Sequence, residues 1–297
     1  MTITNSDRPL KAIDGAEESS REAIYDAEEA RRARNRQIEG VARWLVPIAV
    51  VVLTLVLWNW LVVAYALPHY ILPSPGRVWD QFILDREILG QSLLVTLRIT
   101  VMALGVAVAG GVLLAILFNQ SRFAELVFYP YAVILQVTPI VSIAPLIFIY
   151  VTDPTARVLI CAWLVAFFPI LSNTTLGLKS TDHNLIDLFT IYGANRWQRL
   201  IRLQLPSALP YFLGGLRIAG GLALIGAIVA EYVVGTGGAG SGLAFRILEA
   251  SYRLNIPRMF AALGLIAVVG VTIFAMTALL SHFALRKWHE SAIRREM

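Results

Sequence analysis

Residues 187–206 read DLFTIYGANRWQRLIRLQLP, a polar, arginine-bearing island in a chain that is otherwise mostly apolar. Leu185, Leu188, Phe189 and Tyr192 recur at i, i+3, i+4 and i+7, a spacing that puts four apolar groups on one face of a short helix. Gly193 is a natural stop for that helix. Asn195 can cap a second one that carries Arg196, Arg199 and Arg202 and ends at Pro206. Two short helices around a glycine are therefore expected between long apolar spans. From periodicity alone they read as a solvated loop whose arginines only set topology.

The 297 residues are 57% hydrophobic and only 15% charged, with a mean hydropathy of +0.67. So low a charged fraction indicates a polytopic, all-α membrane protein rather than a soluble domain. The net charge of +5 does not indicate nucleic acid, because the bases gather at the ends of apolar stretches. Cys161 is the single cysteine and lies in an apolar segment, which excludes an intramolecular disulfide and suits a small buried hydrophobe. The chain does not open on a short basic start followed by an apolar core, so no cleavable signal is expected and the N-terminus stays in the cytoplasm.

Residues 1–42 form a polar tail. From Ser19, with Glu22 as capping-box partner, a helix rich in Ala, Glu and Arg is expected to about Ile38, either lying on the membrane surface or solvated. The transmembrane part covers 43–285. Its six expected spans are Trp44–Ala66, Leu93–Phe118, Ala124–Val151, Ala156–Leu178, Ala208–Ala230 and Met259–Leu285, each long enough for a hydrocarbon core that needs roughly 20 helical residues. Residues 179–208 form the polar island and its flanks, Leu243–Arg253 an interfacial helix, and 286–297 a second tail. With the N-terminus inside, the tails, the Arg122 turn and the island share one side and collect most of the bases, which places both termini and the island in the cytoplasm.

Several constellations carry possible chemistry. Pro139 and Pro145 interrupt the third span beside Gln136, Thr138 and Ser142, and proline frees helix carbonyls that in a bilayer need protein or water partners. With Asn173 of the fourth span, these three polar groups either line a pathway for a polar solute or satisfy neighbouring helices. Arg98, Arg157, Arg217 and Glu231 lie in or near spans, and all four are close enough to an end to reach an interface. The run Gly235–Gly242 lacks the Gly-Lys-Ser/Thr ending of a phosphate loop, and it reads as an external connector. His69, His183, His282 and His289 are scattered without metal-ligand spacing, and no catalytic set emerges.

The island also has a specific spacing. Asp187-Leu188-Phe189, three residues, Gly193, nine residues and Leu203-Gln204-Leu205-Pro206 resembles the EAA loop of ABC importer permeases, in which an acid and two alanines precede the same glycine interval and Leu-Pro ending. Here Leu188 and Phe189 replace the two alanines. Ile71-Leu72-Pro73-Ser74-Pro75 is similar to a segment of the nitrate, sulfonate, taurine and bicarbonate group of these permeases. The resemblance covers about Trp44–Leu285. It implies a six-helix, type I importer-like permease working as a homodimer in the bacterial inner membrane, with two cytoplasmic ABC ATPase subunits and an external solute-binding protein. ATP and Mg would belong to the ATPase partner, with no cofactor or metal on this chain. Leu185, Asp187, Leu188, Phe189, Tyr192, Gly193, Arg196 and Pro206 would then couple to the ATPase. The solute would be a small anion or sulfonate, or else a heterocyclic vitamin precursor or nucleobase. A secondary transporter without an ATPase is the competing class, but neither a mid-span acid nor an internal repeat supports it.

Overall fold

The computed structural model describes residues 42, 45–234 and 240–286. The expected helix Ser19–Ile38, the tail beyond 286 and most of the glycine-rich connector lie outside the described residues. The chain divides into two compact units, 1–67 and 68–297. The first holds α1 (Leu45–Ala64), 20 residues of mean hydropathy 2.4, enough to cross a bilayer.

The second unit holds α2 (Pro75–Leu84), α3 (Arg86–Gln120), α4 (Arg122–Val137), α5 (Ile140–Tyr150), α6 (Pro154–Lys179), α7 (His183–Ile191), α8 (Arg196–Arg199), α9 (Leu205–Val234), α10 (Leu243–Tyr252) and α11 (Ile256–Leu285). Short polar caps set their ends. Ser74, Ser121, Asp153 and Asn255 each accept a backbone N–H through the side chain at the start of α2, α4, α6 and α11.

α3, α6 and α9 form the core. On α3 the buried positions Ser92, Thr96, Ile99, Ala103, Ala107, Gly111, Ala115 and Phe118 follow one another at intervals of three or four, a single helical face. α6 and α9 approach almost backbone to backbone: a Cβ at Gly226 would lie 2.9 Å from Ala162 Cα, and one at Gly215 would lie 2.8 Å from the Pro169 carbonyl oxygen. Small residues let van der Waals packing hold helices together where lipid removes the hydrophobic drive.

Two clusters fix the directions. Phe118, Ala124, Leu178, Leu200 and Ala208 pack together at one end, and Ile99, Ala144, Val158, Cys161, Ala227 and Ala230 at the other. α3 and α6 therefore run parallel, α9 runs against them, and the chain between α3 and α6 has to return along the bundle.

That return is the expected third span, and it is not one helix. α4 and α5 meet at 104°, with Thr138 and Pro139 between them. Pro139 has no amide hydrogen and pushes the preceding residue out of the helical region, and Thr138 is extended at φ −76°, ψ 122°. Counted as one crossing, the broken pair brings the helices long and apolar enough to cross a membrane, among the described residues, to six.

A second departure lies at Pro206. The helix expected to end there runs on: α8 passes through a π-helical turn, Leu200–Gln204, into α9, and Pro206 is the second residue of α9. A π-turn shifts the carbonyl register by one residue, which accommodates the donor that Pro206 lacks. The second half of the island is thus one piece with the fifth span.

Candidate functional site

The island folds as a helix, a sharp turn and a capped helix. Asp182 starts α7 by accepting the Asn184 N–H at 2.8 Å. At its end Gly193 N–H donates to Thr190 O at 3.0 Å and Ala194 N–H to Phe189 O at 2.9 Å, the paired bonds of a Schellman motif. Gly193 takes φ +72°, the left-handed conformation this motif requires. Two residues later Asn195 and Gln198 close a reciprocal capping box, each side chain bonding the other's backbone N–H at 2.8 Å.

Leu185, Leu188, Ile191 and Tyr192 are exposed, Tyr192 by 82%, and Phe189 is half-buried. No residue of α7 is buried. Leu188, Phe189 and Tyr192 line an open groove of about 350 Å³ with Ala194, Gln198 and Arg202. Asp187 and Arg196 are exposed beside it, and Arg199 donates to Thr190 Oγ1 at 3.3 Å, tying α8 back to α7. A nine-residue helix with no buried residue lacks the packing that normally stabilises a helix of its length.

The four polar residues expected in a pathway do not all converge. Gln136, Thr138 and Ser142 gather at the α4–α5 break, where Gln136 and Ser142 are exposed and Thr138 donates to Ile134 O at 2.6 Å. Asn173 instead packs its Cβ where a side chain at Gly215 would go and donates to Pro169 O at 2.9 Å, so it serves the α6–α9 contact.

Residues 107–295 match the family described as the binding-protein-dependent transport system inner membrane component. The chain belongs to that family. It is 32% identical to a probable ABC transporter permease of Haemophilus influenzae over 78% of this chain and 93% of the relative. To the riboflavin transport system permease RibX of Chloroflexus aurantiacus it is 34% identical over 80% and 88%. A solved structure described as an amino acid ABC transporter with histidines superposes with a TM-score of 0.58 at 17% identity, covering 68% of this chain and 96% of that one, and shows the shared fold. Other matched permeases are named for formylaminopyrimidine, aliphatic sulfonates and nitrate. The protein is a membrane-spanning permease of a binding-protein-dependent ABC importer.

In this permease, two polar anchors at the end opposite the island escaped sequence reasoning. Glu231, expected to reach an interface, is buried. Its carboxylate accepts from Thr96 Oγ1 at 2.8 Å and from Ala244 N–H at 3.1 Å, while Leu243 N–H donates to Thr96 Oγ1 at 2.9 Å. An acid on α9 and a hydroxyl on α3 thereby satisfy the opening amides of α10, which has no side-chain cap of its own. A Cβ at Gly242 would fall 2.1 Å from the Glu231 carboxylate, so a side chain there would displace the carboxylate from this arrangement. The second anchor is Asp85, which takes two bonds from Arg258 at 2.6 and 2.7 Å and a third from Gln81 at 2.6 Å. Burial pushes the Asp85 carboxyl up, but the hydrogen bonds and charge of Arg258, with Gln81, outweigh it and hold the group below its ordinary value. Of the remaining charges, Arg98 faces a cavity of about 180 Å³ that Glu231 also lines, Arg157 donates to Val151 O at 2.5 Å, and Arg217 lies over the Phe274 ring at 5.4 Å.

Proposed function

We propose that two copies of this permease form the translocation pathway of an ATP-driven importer for a small polar solute. Separate cytoplasmic ABC ATPases would hydrolyse ATP with Mg, and an external solute-binding protein would deliver the cargo. α7 acts as the coupling helix: Leu185, Leu188, Phe189 and Tyr192 enter a groove of the ATPase, with Asp187 and Arg196 at the rim. The observation that carries this reading is the join beyond the Schellman turn, where α8, the π-turn and α9 are continuous through Pro206. A displacement of α7 passes through the turn to a helix that traverses the bundle, so closing of the ATPase pair rocks the spans and switches access to the pathway. Both termini and the island face the cytoplasm, a reading supported by the clustering of bases on that side.

The pathway runs past Gln136, Thr138 and Ser142. Irregular backbone at membrane depth is tolerated where it lines a cavity or is covered by protein, and the α4–α5 break is such a place. The solute is an anion or a sulfonate, a reading supported by Arg217, an exposed guanidinium within α9 with no ion pair among the described residues. The relatives named for riboflavin and formylaminopyrimidine favour a second reading, a heterocyclic vitamin precursor.

The test is reconstitution with the ATPase in proteoliposomes. ATPase activity stimulated by the loaded solute-binding protein and solute uptake that needs internal ATP are expected. Uptake by the permease alone, driven by an ion gradient, would assign a secondary carrier instead.

A further inference from the structure

At the island end of the bundle two grooves join. One, about 440 Å³, is lined by Asn119, Gln120, Arg122, Ile186, Arg196, Arg199 and Gln204: three guanidiniums, three amides and no carboxylate. The other, about 580 Å³, shares Asn119 and Arg122 and continues past Phe118, Leu126, Tyr129 and Pro130 of α3 and α4. Its single acid, Glu125, is paired with Lys179. Arg122 and Arg196 are exposed and have no ion-pair partner among the described residues. Asn119, in the lining of both grooves, donates through Nδ2 to Gln204 Oε1 at 2.8 Å.

We infer that the joined grooves bind an anionic phospholipid, with its phosphate among Arg122, Arg196 and Arg199 and the upper part of an acyl chain along Phe118, Leu126 and Tyr129. The charge pattern selects an anion, and guanidinium forks match phosphate oxygens. The apolar continuation selects a lipid over a soluble phosphate or a partner's carboxylate, because only an amphiphile fills both parts at once. Position agrees: α3, an apolar helix long enough to cross the membrane, ends at Gln120, so the arginines lie at headgroup depth and the furrow climbs toward hydrocarbon. The bound phosphate bridges Arg122, which opens the broken α4–α5 crossing, to α8, which follows Gly193. Anionic lipid thus ties the first limb of that crossing to the island.

Native mass spectrometry of the purified, detergent-solubilised permease tests this with phosphatidylglycerol, phosphatidylcholine and glycerol 3-phosphate as probes. Wild type is expected to retain phosphatidylglycerol at least tenfold better than phosphatidylcholine. Near-surface bases contribute about fivefold each to anionic-lipid binding, so Arg122→Gln/Arg196→Gln/Arg199→Gln is expected to lower retention by about a hundredfold. Arg77→Gln/Arg86→Gln, at the other end of the bundle, is expected to retain it as wild type does. Equal retention of the two lipids by wild type overturns the proposal without recourse to any variant. Displacement of the lipid by millimolar glycerol 3-phosphate would reduce the site to a soluble-anion site, and a triple variant that keeps the lipid but no longer co-purifies with its ATPase would assign the arginines to a protein partner. Either result overturns the lipid assignment.

Discussion

Thr96 on α3 donates its hydroxyl hydrogen to the Glu231 carboxylate on α9 at 2.8 Å, and its oxygen accepts the Leu243 N–H at 2.9 Å. One hydroxyl thus joins two spans and the start of α10. Interhelical hydrogen bonds in membranes are worth about 0.6 kcal/mol on average and reach about 1.7. A cycle of Thr96→Val, Glu231→Ala and the double variant, followed by reversible unfolding in detergent, is expected to give a coupling energy in that range. Amide exchange at Leu243 and Ala244 should accelerate in both single variants. Additive effects with unchanged exchange would show that the contact holds nothing.

Asp85 and Arg258 lead to a pH prediction. A carboxyl whose pKa is lower in the folded state than its ordinary 3.8 stabilises the fold above that value, and the contribution is lost as pH falls through the lower, folded value. Stability of the wild type should therefore fall below about pH 4 more steeply than that of Asp85→Asn, with the two curves converging in acid. Near neutral pH the Asn variant is expected to be less stable by roughly 3 kcal/mol, since it leaves the largely buried Arg258 without its counter-charge. Parallel curves from pH 7 to 3 would remove Asp85 from the account.

These two anchors also mark where sequence reading ended. Thr96 and Glu231 are 135 residues apart and Asp85 and Arg258 are 173 apart, so no periodicity connects them. Local signals fared better. The 20-residue α1, the ends of α6 and the Asn195 cap are each set by neighbours a few positions away, and all follow from composition and capping chemistry. Proline was the ambiguous signal. Pro130, Pro145, Pro169 and Pro210 lie inside helices, Pro206 is absorbed by a π-turn, and Pro139 breaks the chain by 104°. The residue type is the same in all six, so the sequence alone does not separate the proline at the break from those that a helix carries.

Gly193 gives a graded prediction. A Cβ there meets nothing within 4 Å, so any penalty comes from the backbone at φ +72° and not from a clash. An L side chain in that region costs roughly 1–2 kcal/mol, and Asn is the residue that tolerates it best. Gly193→Asn should keep most of the ATPase stimulation, Gly193→Ala less and Gly193→Val least, with membrane insertion equal in all three. Equal stimulation across the series would mean that the Schellman turn does not transmit the motion.

Leu188 and Tyr192 should divide docking from insertion. Both are exposed on α7, 45% and 82%, so their replacement removes little packing from the permease itself. If α7 enters an ATPase groove, these side chains become buried there, and apolar burial is worth about 1.5–3 kcal/mol for a fully covered side chain. Leu188→Ala/Tyr192→Ala is then expected to weaken co-purification of the ATPase by at least tenfold while thermal unfolding of the isolated permease shifts by no more than a degree or two. The reverse result, intact co-purification with a destabilised permease, would make the exposed face of α7 a feature of folding and move the coupling surface to α8.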